Sequence, residues 1–201
     1  MGGKSPTNNL FIHPETNKVM KLTEAIVKRR SLRAFSNKPV KFGLVLEAID
    51  AANQAPLAGN INNLKYLIIE HKENKKFLAQ FSQQSWINDS SWIVLVCTQP
   101  GKLEAQYQDK GLVYNRQQAG AAIQNMLLSL TDQGLGACWV GAFAENEIKI
   151  HFKIPENWNI EALIPIGYPK TKVKESERKS NLDSRIFWEK WDEKKKPINY
   201  P

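Results

Sequence analysis

One long periodic stretch restricts this chain more than any other feature. Between about residues 111 and 133, Val113, Ala119, Ala122, Ile123, Met126, Leu127 and Leu130 recur at intervals of three and four. That period lines them along one face of a helix about 30 Å long. Gly134 provides the stop signal just beyond it. Within the stretch, Ala119-Gly120-Ala121-Ala122 leaves one face nearly bare of side chains. Another surface can come close there, either the protein's own core or a twin subunit. In 201 residues, a helix of this length needs most of the remaining chain to cover it. This favours one domain with a sizeable core over two small ones.

The rest of the chain supplies that cover. Residues 92–97 form an apolar run without polar alternation, the mark of a strand buried on both faces. Residues 66–70, 137–143 and 160–168 read as further strands. Thr23 can cap a short helix that turns Leu22, Ala25 and Ile26 inward. A second helix over about 41–54 places Val45, Leu46, Ile49 and Ala52 on one face and ends before Pro56. Residues 73–81 and 145–152 read as helices too. Strands separated by helices around one long helix predict an α+β layered fold. Residues 1–20 read as a flexible N-terminal arm, 21–170 as the folded domain and 171–201 as a basic C-terminal arm. That last arm carries Phe187, Trp188 and Trp191, aromatics that need a surface to cover.

Charge is unevenly placed. The net charge of +8 divides into +7 over residues 1–41, −3 over 42–169 and +4 over 170–201. Basic ends around a mildly acidic middle fit two readings: solvated tails or a nucleic-acid patch, or two ends that grip one anion. Arg29, Arg30 and Arg33 favour the second, because a guanidinium fork suits phosphate and diffuse solubility does not require it. No apolar run approaches a membrane span. The N-terminus lacks an apolar leader core, so the expected location is the cytoplasm. Cys97 and Cys138, 41 positions apart, read as small core residues rather than a disulfide or zinc site. His13, His71 and His151 are scattered, which leaves metal hydrolysis and a histidine triad without support. Gly134-Leu135-Gly136 follows a helix and leads into a strand, the wrong order for a dinucleotide fingerprint.

Four segments carry a family resemblance. They are Arg29-Arg30-Ser31-Leu32-Arg33-Ala34-Phe35, the loop from Ala55-Pro56-Leu57-Ala58 to Gly59-Asn60-Ile61-Asn62, the run from Gly134 through Trp139-Val140-Gly141-Ala142 to Phe143, and Ile164-Pro165-Ile166-Gly167-Tyr168-Pro169. In this order and spacing they resemble the nitroreductase-like, FMN-dependent flavoprotein family. The resemblance implies a nitroreductase-like α+β fold whose central, mainly antiparallel sheet is flanked by helices. It also implies a long central helix at a homodimer interface and a C-terminal arm extending over the partner.

By the same resemblance, Arg29, Ser31 and Arg33 bind the FMN phosphate and ribityl chain, with Arg30 close by. Arg178 completes the phosphate clamp from the C-terminal side, and Arg185 is the second choice for that role. Pro56, Leu57, Ala58 and Asn60 border the flavin from the partner subunit. Gln84 touches the polar edge of the ring, and Trp139, Gly141 and Ala142 run along it with backbone N–H groups turned to it. NADH or NADPH is the co-substrate, and a small electron-poor acceptor, a nitroaromatic or a quinone, is reduced by ping-pong turnover. No catalytic side chain is required, because the flavin carries the electrons. Two positions depart from the usual pattern: Leu57 stands where a serine is common, and Asn62 where a glutamine is common. Alternative readings are other flavin chemistry on the same fold (dehalogenation or enone reduction) and a basic flavin- or RNA-binding protein without turnover. The lack of a membrane-length apolar run argues against a membrane partner, and nucleic acid is not the expected partner.

Overall fold

The computed structural model describes residues 20–172 and 182–194. The regular elements are α1 (Leu22–Lys28), α2 (Phe42–Asn53), β1 (Leu64–Ile69), α3 (Lys72–Phe81), β2 (Trp92–Thr98), α4 (Gly101–Tyr107), α5 (Gly111–Asp132), β3 (Gly136–Ala137), α6 (Glu145–Phe152) and β4 (Asn159–Gly167). Among the described residues the strands form one antiparallel sheet in the order β1-β2-β4-β3. No helix among them is long and apolar enough to cross a membrane.

β2 lies inside the sheet and is covered on both faces, as its unbroken apolar run predicts. Val94 and Val96 point to one face, where they join Val45, Ala48 and Ala52 of α2 and Ile123, Met126 and Leu130 of α5. Ile93, Leu95 and Cys97 point to the other, where they meet Leu78 of α3 and Ile148 of α6. The period of two in the strand thus divides one sequence run between two helical layers. Each fully buried Leu or Ile contributes about 1.5–3 kcal/mol relative to exposure. α5 closes where expected: Gly134 takes φ +72, and Leu135 N–H returns to the Leu130 carbonyl at 2.9 Å, the bond of a left-handed helix cap.

The third motif is not the continuous strand expected over 137–143. β3 pairs Gly136 with Gly167 and Ala137 with Ile166, and the ladder resumes only as a bridge between Val140 and Leu163. The register is unchanged across the gap and sets Cys138 opposite Pro165. Proline has no N–H to give back, so the ladder breaks at that pair. Beyond β3, the first motif adds itself to the same sheet edge. Ser31 bridges Ala137 in parallel, and Phe35 bridges Pro169.

Other expectations need correction. Thr23 lies inside α1, and the N-cap residue is Lys21, without a side-chain cap. Only Ala25 of α1 is buried; Leu22 and Ile26 are exposed, because α1 rests on the body along one narrow stripe against α5. Leu46 and Val113 are exposed as well. α4, which the apolar pattern does not announce, rests on α5 through Leu103, fully buried.

Candidate flavin-binding site

The first motif is held by backbone bonds to the third and fourth. Leu32 N–H donates to the Ala137 carbonyl at 2.9 Å, Ser36 N–H to the Tyr168 carbonyl at 2.9 Å, and Lys170 N–H to the Ala34 carbonyl at 3.1 Å. Phe35 is buried and packs against Trp86 with ring centroids 6.3 Å apart. This stretch alternates: Leu32 and Phe35 face the protein, while Ser31 and Arg33 stay exposed.

Three of the predicted phosphate ligands converge. Arg33, Ser31 and Arg29 all act on the thiol of Cys138. Burial pushes that thiol up, while the Arg33 and Arg29 charges and polar contacts from Ser31 and Arg33 pull it down. A cationic and hydroxylic patch therefore sits against the start of the third motif. The donor set, two guanidiniums and a hydroxyl, is the chemistry a monophosphate demands. Arg30 is placed differently. Its Nη1 donates to the carbonyls of Val27 and Arg29 at 2.6 and 2.7 Å, so that nitrogen caps the C-terminal end of α1.

The segment after Cys138 presents an open side. Val140 is buried and pinned to Leu163 by two backbone bonds of 3.0 Å. Gly141 and Ala142 are exposed, and a Cβ on Gly141 would meet nothing within 4 Å. A planar ring can approach the backbone there without moving protein atoms. Trp139 is 42% exposed, and its Cη2 lies 3.6 Å from the position of a Cβ on Gly120. Gln84 begins the turn after α3. Its backbone N–H donates to the Ala79 carbonyl, and its carbonyl accepts from Ile87 N–H. The Trp86–Phe35 contact draws that turn toward the first motif.

The second-motif loop is held on a different side of α5 from Trp139. Ala58 N–H donates to Gln118 Oε1 at 3.1 Å, whereas Trp139 rests over Gly120. Those two α5 positions are two residues apart, about 200° around the helix, and so face opposite ways. Pro56 and Asn60 are exposed, and Leu57 and Ala58 half-buried. Gly59 and Asn60 both take φ +56. A side chain at Gly59 would collide with the Tyr107 hydroxyl at 2.6 Å, which leaves glycine as the residue that fits. Asn62 turns its Oδ1 back to Leu64 N–H at 3.2 Å. Arg185 is exposed; Arg178 lies outside the described residues.

The motifs omit one set of residues, Asn63, Asn115 and Gln118, whose buried amides hold the second-motif loop on α5. The available signal was two amides, Asn115 and Gln118, three apart on the face that continues through Ala119 and Ala122.

The model of the Nitroreductase family matches residues 26–86 and 72–168. A protein of Archaeoglobus fulgidus, provisionally named an NADH dehydrogenase/NAD(P)H nitroreductase, is 30% identical over 173 residues, which is 83% of this chain and 96% of the relative. Among solved structures, a nitroreductase family protein from Clostridium novyi NT superposes with TM-score 0.68 at 28% identity, covering 87% of this chain and 96% of its own. The NADPH:FMN oxidoreductase from Vibrio harveyi, solved with NAD+, shares the fold with TM-score 0.75 at 19% identity, over 86% of this chain and 78% of its own.

Proposed function

The chain belongs to the nitroreductase family, and on that footing we propose that it is an FMN-dependent oxidoreductase. It takes hydride from NADH or NADPH and reduces a small electron-poor acceptor, a nitroaromatic or a quinone, in ping-pong turnover. The observation that carries this reading is the bridge of Ser31 to Ala137, which sets the Arg29–Arg33 segment against the third motif beside a backbone left open at Gly141. The V. harveyi fold neighbour, named for NADPH and FMN, is consistent with it.

FMN, when bound, would supply the redox chemistry as a two-electron carrier. This chain's residues bind, orient and tune. Arg29 and Arg33 neutralise the phosphate dianion, and Ser31 adds a hydroxyl to it. Arg178 adds a further cation from the C-terminal arm. The Gly141 and Ala142 N–H groups stand along the open side as donors for the ring's polar edge, where negative charge is stabilised by preorganised dipoles. Gln84 offers an amide to the same edge. Val140, fixed to β4, sets the distance.

The working unit is a homodimer. Ala58 bonds Gln118 and Trp139 rests over Gly120 on different sides of α5, and on that footing the loop of Pro56, Leu57, Ala58 and Asn60 reaches a flavin held by the other copy. Exposed Leu22, Ile26 and Val27 on α1 and Trp139 beside Gly120 offer apolar surface for that contact.

Anaerobic spectroscopy tests the reading. The purified protein is yellow, NADH or NADPH bleaches it, and a quinone restores the colour. Colour that neither nicotinamide bleaches overturns hydride transfer from NAD(P)H.

A further inference from the structure

Four buried polar side chains, Asn63, Thr98, Asn115 and Gln118, form with Glu161 one chain of hydrogen bonds that runs through the core and ends on the second-motif loop. At its far end, the Glu161 carboxylate of β4 accepts from Thr98 Oγ1 at 2.6 Å and from Asn115 Nδ2 at 3.0 Å. Asn115 Oδ1 then accepts from Asn63 Nδ2 at 2.6 Å. Asn63 Oδ1 accepts from Gln118 Nε2. Gln118 Oε1 accepts from Ala58 N–H at 3.1 Å. Asn63, Thr98, Asn115 and Gln118 are all buried.

The chain has a direction. An ionised carboxylate only accepts, so Asn115 turns its NH2 to Glu161 and leaves its oxygen for Asn63. Each amide hands the same orientation to the next. Two backbone carbonyls reinforce it: Gln99 accepts from Asn63 Nδ2 at 2.8 Å, and Ile61 accepts from Gln118 Nε2 at 3.3 Å. The last member therefore presents an acceptor to the loop. Buried amides left unpaired are costly, so the members hold or fail together.

The loop itself has only short-range bonds at its turn, Asn60 N–H to the Leu57 carbonyl at 3.2 Å and Ile61 N–H to the Ala58 carbonyl at 3.0 Å. Gln118 grips that turn at both ends, through Ala58 N–H and the Ile61 carbonyl. We propose that Gln118, oriented by the Glu161–Asn115–Asn63 chain, is a positioning residue that sets the loop of Leu57 and Asn60 for flavin binding without touching flavin itself. This rests on the reading that the loop borders FMN. It follows that Ala58 N–H is committed to Gln118 and that Ala58 serves the site by carrying its neighbours.

The experiment compares wild type, Gln118→Met, Ala58→Pro and the double variant. Methionine keeps the shape and removes all three hydrogen bonds of the Gln118 amide, those to Ala58 N–H, the Ile61 carbonyl and Asn63 Oδ1. Proline removes the donor from the other side. Leu57 already has φ −120 and ψ 131, the conformation favoured before proline, and Ala58 is the second residue of a turn whose third, Gly59, has φ 56 and ψ 22, a place proline commonly takes. In Gln118→Met, the Ala58 amide exchanges with solvent roughly three- to tenfold faster, the loss of one hydrogen bond, while the Val94 amide is unchanged. The FMN Kd rises by a similar factor in each single variant, and the double variant is no worse than either. A doubled effect in the double variant, or unchanged Ala58 exchange, overturns the proposal, because a merely structural role would add and would leave that amide alone. If exchange quickens but FMN affinity holds, while Arg33→Ala loses FMN, the positioning role falls and the flavin reading stands. If wild type takes up no FMN, the flavin reading falls and the proposal with it.

Discussion

Ser31 and Ala137 lie side by side in a parallel bridge, although most of the folded chain separates them in sequence. The bridge places the arginine-rich first motif against the glycine-rich third. It also explains why Gly136 and Gly167 flank it: a Cβ at either would strike the side chain of Leu32 or Phe35. Sheet geometry assembles the patch, and the exposed residues of an otherwise packed edge segment supply its charge.

Gly167→Ala tests this edge. A Cβ there falls 2.7 Å from Phe35 Cδ1, and Phe35 is buried and cannot move aside freely. Overpacking of this kind costs about 1–3 kcal/mol. Urea unfolding of the variant is expected to show that loss, with FMN retention reduced. An unchanged midpoint contradicts the close packing of the first motif on β4.

The C-terminal arm gives a second prediction. Phe187 and Trp191 stack with centroids 5.0 Å apart, yet Trp191 remains 84% exposed. An aromatic pair so placed gains by covering a partner. Deleting residues 182–201 is expected to weaken the dimer in sedimentation at low protein concentration. An equally tight truncated dimer removes the arm from the interface.

Leu57 invites a reverse substitution. It precedes the turn in an extended conformation, the place where a serine side chain can bond the following N–H groups or a ligand. Leu57→Ser is expected to tighten FMN by about 1 kcal/mol, roughly fivefold, as read by fluorescence titration. Weaker binding shows that the leucine makes an apolar contact the serine cannot replace.

Stability is expected to fall in alkali. Burial, with Glu145 and Glu161 adding and Lys149 opposing, pushes the Cys97 thiol from 9.0 to about 12. Burial alone pushes Tyr66 from 10.0 to about 12. Both groups stay neutral in the fold but ionise earlier once unfolded. Their stabilising effect is thus complete below about pH 9 and lost as pH rises toward 12. Tm is expected to be flat up to pH 9 and then decline, less steeply in Cys97→Ala. Identical slopes in both proteins would assign the decline to other groups.

Much of this architecture was legible because it rests on periodicity. The stretch ending at Gly134 is α5, and the apolar run from Trp92 is a two-faced strand. What failed depended on partners distant in sequence. Pro165 interrupts the ladder of the third motif only because it falls opposite Cys138. Leu22 and Ile26 share a helical face with Ala25 and look like core residues, but α1 has one narrow stripe of contact. In the candidate site, Arg29, Ser31 and Arg33 are singled out by residue chemistry and resemblance. The bonds of Arg30 to the Val27 and Arg29 carbonyls were not legible, since they depend on where α1 ends. The amide chain through Gln118 escaped because hydrophobic periodicity does not count polar residues on a buried face.

The most direct measurement is a titration of flavin-free protein with FMN and with riboflavin, which differ only in the phosphate. Two charge-assisted hydrogen bonds of about 1.5–3 kcal/mol each make FMN bind at least a hundredfold more tightly to wild type. That preference shrinks by at least about tenfold in Arg29→Ala and in Arg33→Ala. Equal affinity of the wild type for both flavins, or a preference that survives loss of both arginines, would contradict the assignment of this patch to the flavin phosphate.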